Sequence, residues 1–289
     1  MTGAGVQAGR PPLPPPSPTR GEGEHGVGAA GFINVGAFAV SYDGEVSGPP
    51  SARPVAVETP IEIAYGGQPF AVMMGTPADL DDFAAGFSLT EGIVERYSDI
   101  RAIEARIAND AARINVALTG ERLHAHLARR RAIAGRTGCG ICGIEDLDHL
   151  PKARPRDGAR VPDLAAVGRA VEALERLQPL NALTHAVHAA AWVGAQGDIA
   201  LVREDVGRHN ALDKCVGALL RGGASPEGGF FLITSRCSYE MVTKAAAFGA
   251  RALVSVSAPT SLALRAAQTA GVYLLTVARR DGALHFEEP

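Results

Sequence analysis

Cysteine is scarce in this chain: four residues in 289, too few for a secreted scaffold held together by disulfides. Charge of one sign is also missing. Twenty-eight lysines and arginines stand against 31 acidic residues, a formal net charge of −3, so no global positive field draws the chain to long nucleic acid. No apolar run approaches the roughly 18 to 20 residues that span a bilayer, and the first residues show no basic stretch followed by an apolar one. These absences exclude a membrane span and an export signal, and they point to a cytoplasmic protein. What is present is 46% hydrophobic and 20% charged side chains, the balance of a globular enzyme with a core to bury.

Residues 1–30 are dominated by Gly and Pro, including Pro11-Pro12-Leu13-Pro14-Pro15-Pro16, and carry too little apolar surface to offset chain entropy. They are expected to be a disordered tail. The segment 31–128 reads as a small α+β domain. Val55, Val57, Ile61 and Ile63 alternate as a strand, Phe70 to Met74 form a second, and the two suggest a hairpin. Thr76-Pro77 and Asp79 open a helix carrying Leu80, Phe83, Ala84 and Phe87 at helical spacing and stopping near Glu91-Gly92. A strand is expected over 112–118 and a helix over 121–132.

Residues 129–160 break every period with glycine and proline and read as a long mobile loop. Eight basic residues there face four acidic ones, a local balance of +4. At its centre stands Gly138-Cys139-Gly140-Ile141-Cys142-Gly143. Three uses of this C-x-x-C compete. Structural zinc needs four ligands, but the remaining cysteines, Cys215 and Cys237, are isolated. A thioredoxin-like redox pair belongs at a helix start after a strand. A thiolate that accepts and passes on sulfur as a persulfide needs exposure, mobility and positive surroundings, which suit this loop best. Nucleobase deaminase chemistry would need H-x-E followed by P-C-x-x-C, and here Gly138, not proline, precedes Cys139.

From 161 onward the chain reads as an α/β domain. After a helix carrying Leu164, Val167, Val171 and Leu174, three strand-to-helix units follow, with strands at 199–202, 230–233 and 252–256 and a last strand at 273–277. The alternation predicts a largely parallel sheet whose polar links share one edge. Those links, Glu204 to Asn210, Thr234 to Ser238 and Ser257 to Ser261, would offer helix N-termini, Arg208, His209 and Arg236 to a phosphate-bearing, nucleotide-like ligand. The plainer reading makes Asn210, Ser238 and Ser261 ordinary helix caps. Cys215 falls on an apolar helix face and reads as an inert thiol. His185 and His188, three apart, would share a helix face or straddle a strand.

Taken together, Glu58-Thr59-Pro60, Gly75-Thr76-Pro77, Gly86 to Gly92, Cys139-Gly140-Ile141-Cys142-Gly143, Thr184-His185-Ala186, Glu204-Asp205-Val206-Gly207-Arg208-His209-Asn210-Ala211, Ser235 to Met241 and Ser257 to Ser261 resemble the formate dehydrogenase accessory sulfurtransferases of the FdhD type. The resemblance runs over about residues 55–282. It implies a three-layer, cytidine-deaminase-like C-terminal domain beside the smaller α+β domain. It also implies a cytoplasmic, homodimeric sulfurtransferase with no nucleic-acid or membrane partner. Such a protein takes persulfide sulfur from a cysteine desulfurase and delivers it to bis-molybdopterin guanine dinucleotide, its substrate, for formate dehydrogenase. By the same resemblance Cys139 carries the persulfide and Cys142 assists. The family's C-terminal cofactor-binding stretch maps to Val277, Ala278, Arg279, Arg280, Asp281 and Gly282, where Val277 stands in place of an aromatic and Arg280-Asp281 in place of a glycine-richer turn. The alternative is a cofactor-binding chaperone whose C-x-x-C only shapes a loop or binds zinc.

Overall fold

A computed structural model describes residues 31–42, 46–131 and 158–287. The Gly/Pro-rich tail, Cys139 and Cys142 lie outside the described residues.

The first two strands, β1 (Phe32–Val40) and β2 (Val46–Ala56), pair antiparallel as a two-stranded ribbon. Sequence pattern alone had not separated them, because Gly48, Pro49, Pro50 and Pro54 interrupt β2. Val55 therefore belongs to β2, and the expected 55–63 strand begins only at Thr59. Strand β3 (Thr59–Tyr65) and β4 (Gln68–Gly75) do form the hairpin, turning at Gly66 and Gly67 with φ of 56° and 79°. Two left-handed residues in succession give the turn whose twist matches the strands, and glycine adopts them without a steric penalty. β6 (Ala111–Leu118) pairs parallel to β3, and β5 (Ile100–Ala108) pairs antiparallel to β6, giving the order β4-β3-β6-β5. The helix α2 (Gly120–Arg131) follows, so the backbone of Arg129, Arg130 and Arg131 is helical.

Helix α1 (Leu80–Thr90) buries nearly every residue from Leu80 to Leu89. A helix buried on nearly every side must be sandwiched. One neighbour is the four-stranded sheet. The other is α5 (Arg208–Arg221), and the crossing is close enough that a Cβ on Gly86 would strike the carbonyl oxygen of Asp213, and one on Gly217 that of Asp82. Both glycines are needed for backbone contact rather than for turn geometry.

The later elements are α3 (Leu164–Leu174), α4 (Pro179–Thr184), β7 (His188–Gly194), β8 (Ile199–Asp205), β9 (Gly229–Ile233), α6 (Tyr239–Phe248), β10 (Ala252–Ser255), α7 (Ser261–Ala270), β11 (Tyr273–Arg279) and β12 (Gly282–Leu284). Six strands form one sheet in the order β12-β11-β10-β9-β7-β8. β9, β10 and β11 are parallel, as the alternation predicts. β7 is the departure: it runs antiparallel between β8 and β9. Two antiparallel steps restore the direction of β8, so the carboxyl ends of β8, β9, β10 and β11 still share an edge.

Side chains alternate across this sheet. Ala191, Val193, Phe230, Leu232 and Val254 join a cluster with Val167, Ala170 and Leu174 of α3. Trp192, Phe231, Ile233 and Leu253 join a larger one with α5, α6, α7, α1 and the four-stranded sheet. Among the described residues no helix is long and apolar enough to cross a membrane.

The α1–α5 crossing yields a prediction. Gly86→Ala forces the two backbones apart, costing about 3 kcal/mol on the scale of overpacked cores. Thermal denaturation should show a melting temperature lowered by roughly 6 to 12 °C, whereas Gly120→Ala, whose Cβ meets open space, should leave it unchanged within about 2 °C.

Candidate functional site

The shared carboxyl edge is organised by one carboxylate. Asp205, at the end of β8, is wholly buried. Its Oδ2 accepts from the backbone N–H of Thr76 at 3.0 Å and pairs with Lys214 Nζ at 2.7 Å. Its Oδ1 accepts from the N–H of Gly207 at 2.7 Å and from Asn210 Nδ2 at 3.0 Å. Lys214, also fully buried, donates to the carbonyl of Thr76, and Asn210 donates to the carbonyl of Met74. A buried charge must be paired and fully hydrogen-bonded, and this one is. The result ties the end of β4 to the start of α5 across about 130 residues of chain.

This changes the reading of the Glu204 to Ala211 string. Asn210 is not a helix cap but the third residue of α5, committed to the carboxylate and to β4. Glu204 accepts from the N–H groups of Leu180 and Asn181, so it seals the N-terminus of α4. Burial raises its pKa, and those two hydrogen bonds oppose the rise. Ser261 is likewise inside its helix; Thr260 is the cap, accepting from Ala263 N–H. Only Ser238 sits at a cap position, before α6, and its side chain makes no capping bond. His185 ends α4 in a left-handed conformation, φ 52°, and His188 opens β7, so the two share neither a helix face nor a strand.

The string's Arg208 and His209 remain free of these structural duties. His209 Nε2 lies 2.9 Å from Glu240 Oε2 of α6. Burial acts to raise the Glu240 pKa, but His209, with help from Lys244 and Arg208, outweighs it and holds the carboxyl below its ordinary value. Burial and the positive charge of Arg208 and His209 push the His188 imidazole down, against a smaller opposing pull from Asp205. The structure thus brings Arg208, His209, Glu240 and His188 into one electrostatic neighbourhood. Arg208 Nε and Ser238 Oγ are buried atoms with no hydrogen-bond partner among the described residues.

The remaining links lie along the same edge. Cys237 N–H donates to Ala258 and Thr260 N–H to Cys237, zipping the second link to the third. Ser255 Oγ donates to the carbonyls of Ser235 and Ser257. Arg236 is exposed on this rim. In the Val277 to Gly282 stretch, Ala278 packs into the α3 core and Arg279 donates to the carbonyls of Val256 and Ala278. Arg280 reaches Glu175 at 3.3 Å, Asp281 is exposed in the turn to β12, and Gly282 is exposed as that strand's first residue. Val277 has φ 52°, a left-handed conformation that a β-branched residue adopts only under constraint, here its N–H bond to Ser257 and the irregularity in β11.

The two described cysteines are sealed. Cys215 has no exposed surface and burial pushes its thiol far up; burial takes Cys237 up to about 12. Both are protonated at neutral pH and neither is a nucleophile. Among the described residues no group of three His, Cys, Asp or Glu could hold a metal ion.

Sequence reading missed the buried cations. Besides Lys214, Lys244 pairs with Asp213 at 2.8 Å and touches Thr90 and Glu91, and Arg203 pairs with Asp82 at 2.7 Å. Lys214 and Lys244 sit on helices that also carry Asp213 and Glu240, so no local pattern set them apart from surface lysines.

Two outcomes follow. Asp205→Ala strands the Lys214 ammonium and should cost about 3 to 5 kcal/mol in urea denaturation, whereas adding Lys214→Met to it should recover part of the loss. His188, with its folded pKa below the usual 6.5, is neutral at pH 7. The unfolded chain then binds the proton first as pH falls, so its contribution to stability is complete above about pH 6.5 and declines below it. His188→Asn should flatten that acid limb of a stability profile.

Comparison with known proteins bears on what this edge serves. Residues 56–289 match the model of the FdhD/NarQ family. The "Sulfur carrier protein FdhD" of Bordetella petrii is 48% identical over 237 residues, covering 81% of this chain and 85% of that protein. Its namesake in Xanthomonas euvesicatoria is 46% identical over 236 residues, covering 81% and 84%. The fold also matches a crystal structure from Desulfotalea psychrophila, described as that of a formate dehydrogenase accessory protein, with a TM-score of 0.68 and 27% identity over 89% of this chain and 97% of that one. By sequence and by fold, the chain belongs to the FdhD/NarQ family.

Proposed function

We propose that this protein is a sulfur carrier that takes a sulfur atom from a cysteine desulfurase and passes it to bis-molybdopterin guanine dinucleotide for use by formate dehydrogenase. The observation that carries the reading is the state of the cysteines, set beside the name of the relatives. With Cys215 and Cys237 buried and protonated, sulfur chemistry falls to Cys139 and Cys142. The Cys139 thiolate attacks the outer sulfur of the desulfurase persulfide. The bond within that persulfide breaks, the desulfurase cysteine leaves as thiolate, and Cys139 retains the sulfur. Basic residues around the motif, such as Arg136, favour the thiolate form. Cys142 assists as a second thiol.

The same reading assigns the diphosphates of the pterin substrate to the carboxyl edge. Two features support it. The helices α5 and α6 begin there without side-chain caps, so their first N–H groups and positive dipole ends are available to an anion. Arg208, His209 and Arg236 rise beside them, and Val277 to Gly282 close the far side of the rim. We read α3, the six-stranded sheet and α5 to α7 as a cytidine-deaminase-like, three-layer unit, and the setting as the cytoplasm, where thiols stay reduced.

Incubation with a cysteine desulfurase and cysteine, followed by peptide mass spectrometry, tests the transfer. A gain of one sulfur on the Cys139 peptide is expected, and it should vanish in Cys139→Ala with the melting temperature unchanged. Zinc bound at the motif with no sulfur gain would favour a non-catalytic cofactor chaperone instead. Calorimetry with a guanine nucleotide tests the edge: Arg208→Ala should weaken binding at least tenfold, about 1.4 kcal/mol, and unchanged affinity would remove Arg208 from the site.

A further inference from the structure

The rim opposite the carboxyl edge holds a cavity of about 440 Å³. It opens where β9 and β10 begin, between the segment 158–163 that leads into α3, the turn joining β7 to β8, and the short turn Pro226–Gly228. Its volume falls within the range of small-molecule sites, about 300 to 1,000 Å³. Backbone contacts fix the walls. Arg160 N–H donates to the carbonyl of Arg251, which lays 158–163 beside the start of β10. Gly229 lies so close to β7 that a Cβ there would strike the carbonyl oxygen of Val193. Arg169 donates twice to the Gln196 carbonyl, at 2.7 and 3.2 Å, and so holds the β7–β8 turn in place.

The lining carries both signs of charge: Arg160 and Arg251 on one hand, Asp163 and Glu227 on the other. These groups do not simply neutralise one another. Among the described residues, the side chains of Arg160 and Glu227 make neither an ion pair nor a hydrogen bond. Asp163 caps α3 with Oδ1, which accepts from Ala165 and Ala166 N–H, and its Oδ2 is left for another donor. Beneath the charges the cavity meets the buried ring of Phe230, with Val161 and Pro226 at its sides.

We propose that this cavity binds a free α-amino acid with an apolar side chain, its carboxylate on Arg160 and Arg251, its ammonium group on Glu227 and Asp163, and its side chain against Phe230. The occupant follows from sign and size. A simple anion would meet two carboxylates, and a simple cation two guanidinium groups, so each would be repelled by half of the lining. A peptide end or a nucleotide brings only one of the two signs to the pocket. An amino acid brings both on one carbon, and guanidinium groups suit its carboxylate because they donate in parallel pairs. None of the lining residues belongs to the cysteine motif or to the carboxyl edge, so the proposal stands or falls apart from sulfur transfer.

Calorimetry on the full chain with L-leucine tests it. Leucine should bind with a dissociation constant below about 1 mM. Isocaproate, which lacks the amino group, and isoamylamine, which lacks the carboxylate, should each bind at least tenfold more weakly. Glu227→Gln keeps the shape of the wall and removes its charge, so it should weaken leucine at least tenfold and leave isocaproate no weaker than before. Arg160→Ala should weaken leucine and isocaproate alike. Both residues are exposed, so the melting temperature and the affinity for a guanine nucleotide should be unchanged in either variant. A chain that takes up no leucine, a singly charged analogue that binds as tightly as leucine, or an unchanged leucine affinity in Glu227→Gln would each overturn the proposal.

Discussion

The burial of Asp205 sets the terms for everything at the carboxyl edge. A carboxylate with no access to water must find donors inside the protein, and it draws them from three sources: the loop after β4, the turn after β8 and the body of α5. Each donor is thereby fixed in position. Gly207 is held so that α5 starts where it does, and Arg208 and His209 emerge from its first turn as a consequence. The specificity of the Glu204 to Ala211 string is thus divided between construction and presentation. Glu204, Asp205 and Asn210 build, while Arg208 and His209 face the rim.

The contact between the two halves of the molecule follows a similar economy. Gly86 and Gly217 allow α1 and α5 to touch backbone to backbone, and apolar residues of both helices, Phe83, Phe87, Leu212 and Val216 among them, share the larger buried cluster. Ion pairs flank the crossing, with Arg203 and Arg221 on Asp82 at one end and Lys244 on Asp213 and Glu91 at the other. Such pairs add little net stability relative to a well-packed apolar seam, but removing one partner leaves a buried charge incompletely compensated. They tie the helices to one relative placement, and the orientation of the carboxyl edge depends on it.

Much of this was legible in the sequence. The strand-to-helix units of the C-terminal part read correctly because each apolar run is short, bounded and followed by a helix with a clean apolar face. Their common edge survived even though β7 was missed. His188-Ala189-Ala190-Ala191-Trp192 is rich in alanine, which has weak strand preference, so only pairing on both sides makes it a strand. β2 was hidden by its prolines and β5 by polar residues on an edge strand. The roles of Asn210 and Ser261 were misread because a cap position differs from the next helical turn by only one to three residues. Nothing local could distinguish Lys214 from a surface lysine, since its partners, Thr76 and Asp205, come from elsewhere in the chain. The C-x-x-C motif stood out in the sequence through spacing and glycine context and lies outside the described residues, and the carboxyl edge was legible through its repeated polar links.

The Thr76–Asp205 hydrogen bond also sets the order of events on the ribosome. Its two ends are 129 residues apart. At synthesis rates of about 5 to 20 residues per second, roughly 6 to 26 seconds separate their translation. Throughout that interval Phe83, Phe87 and the bare face of α1 have no α5 to lie against. The nascent N-terminal half therefore emerges with an unfinished greasy seam that stays open until the second half arrives.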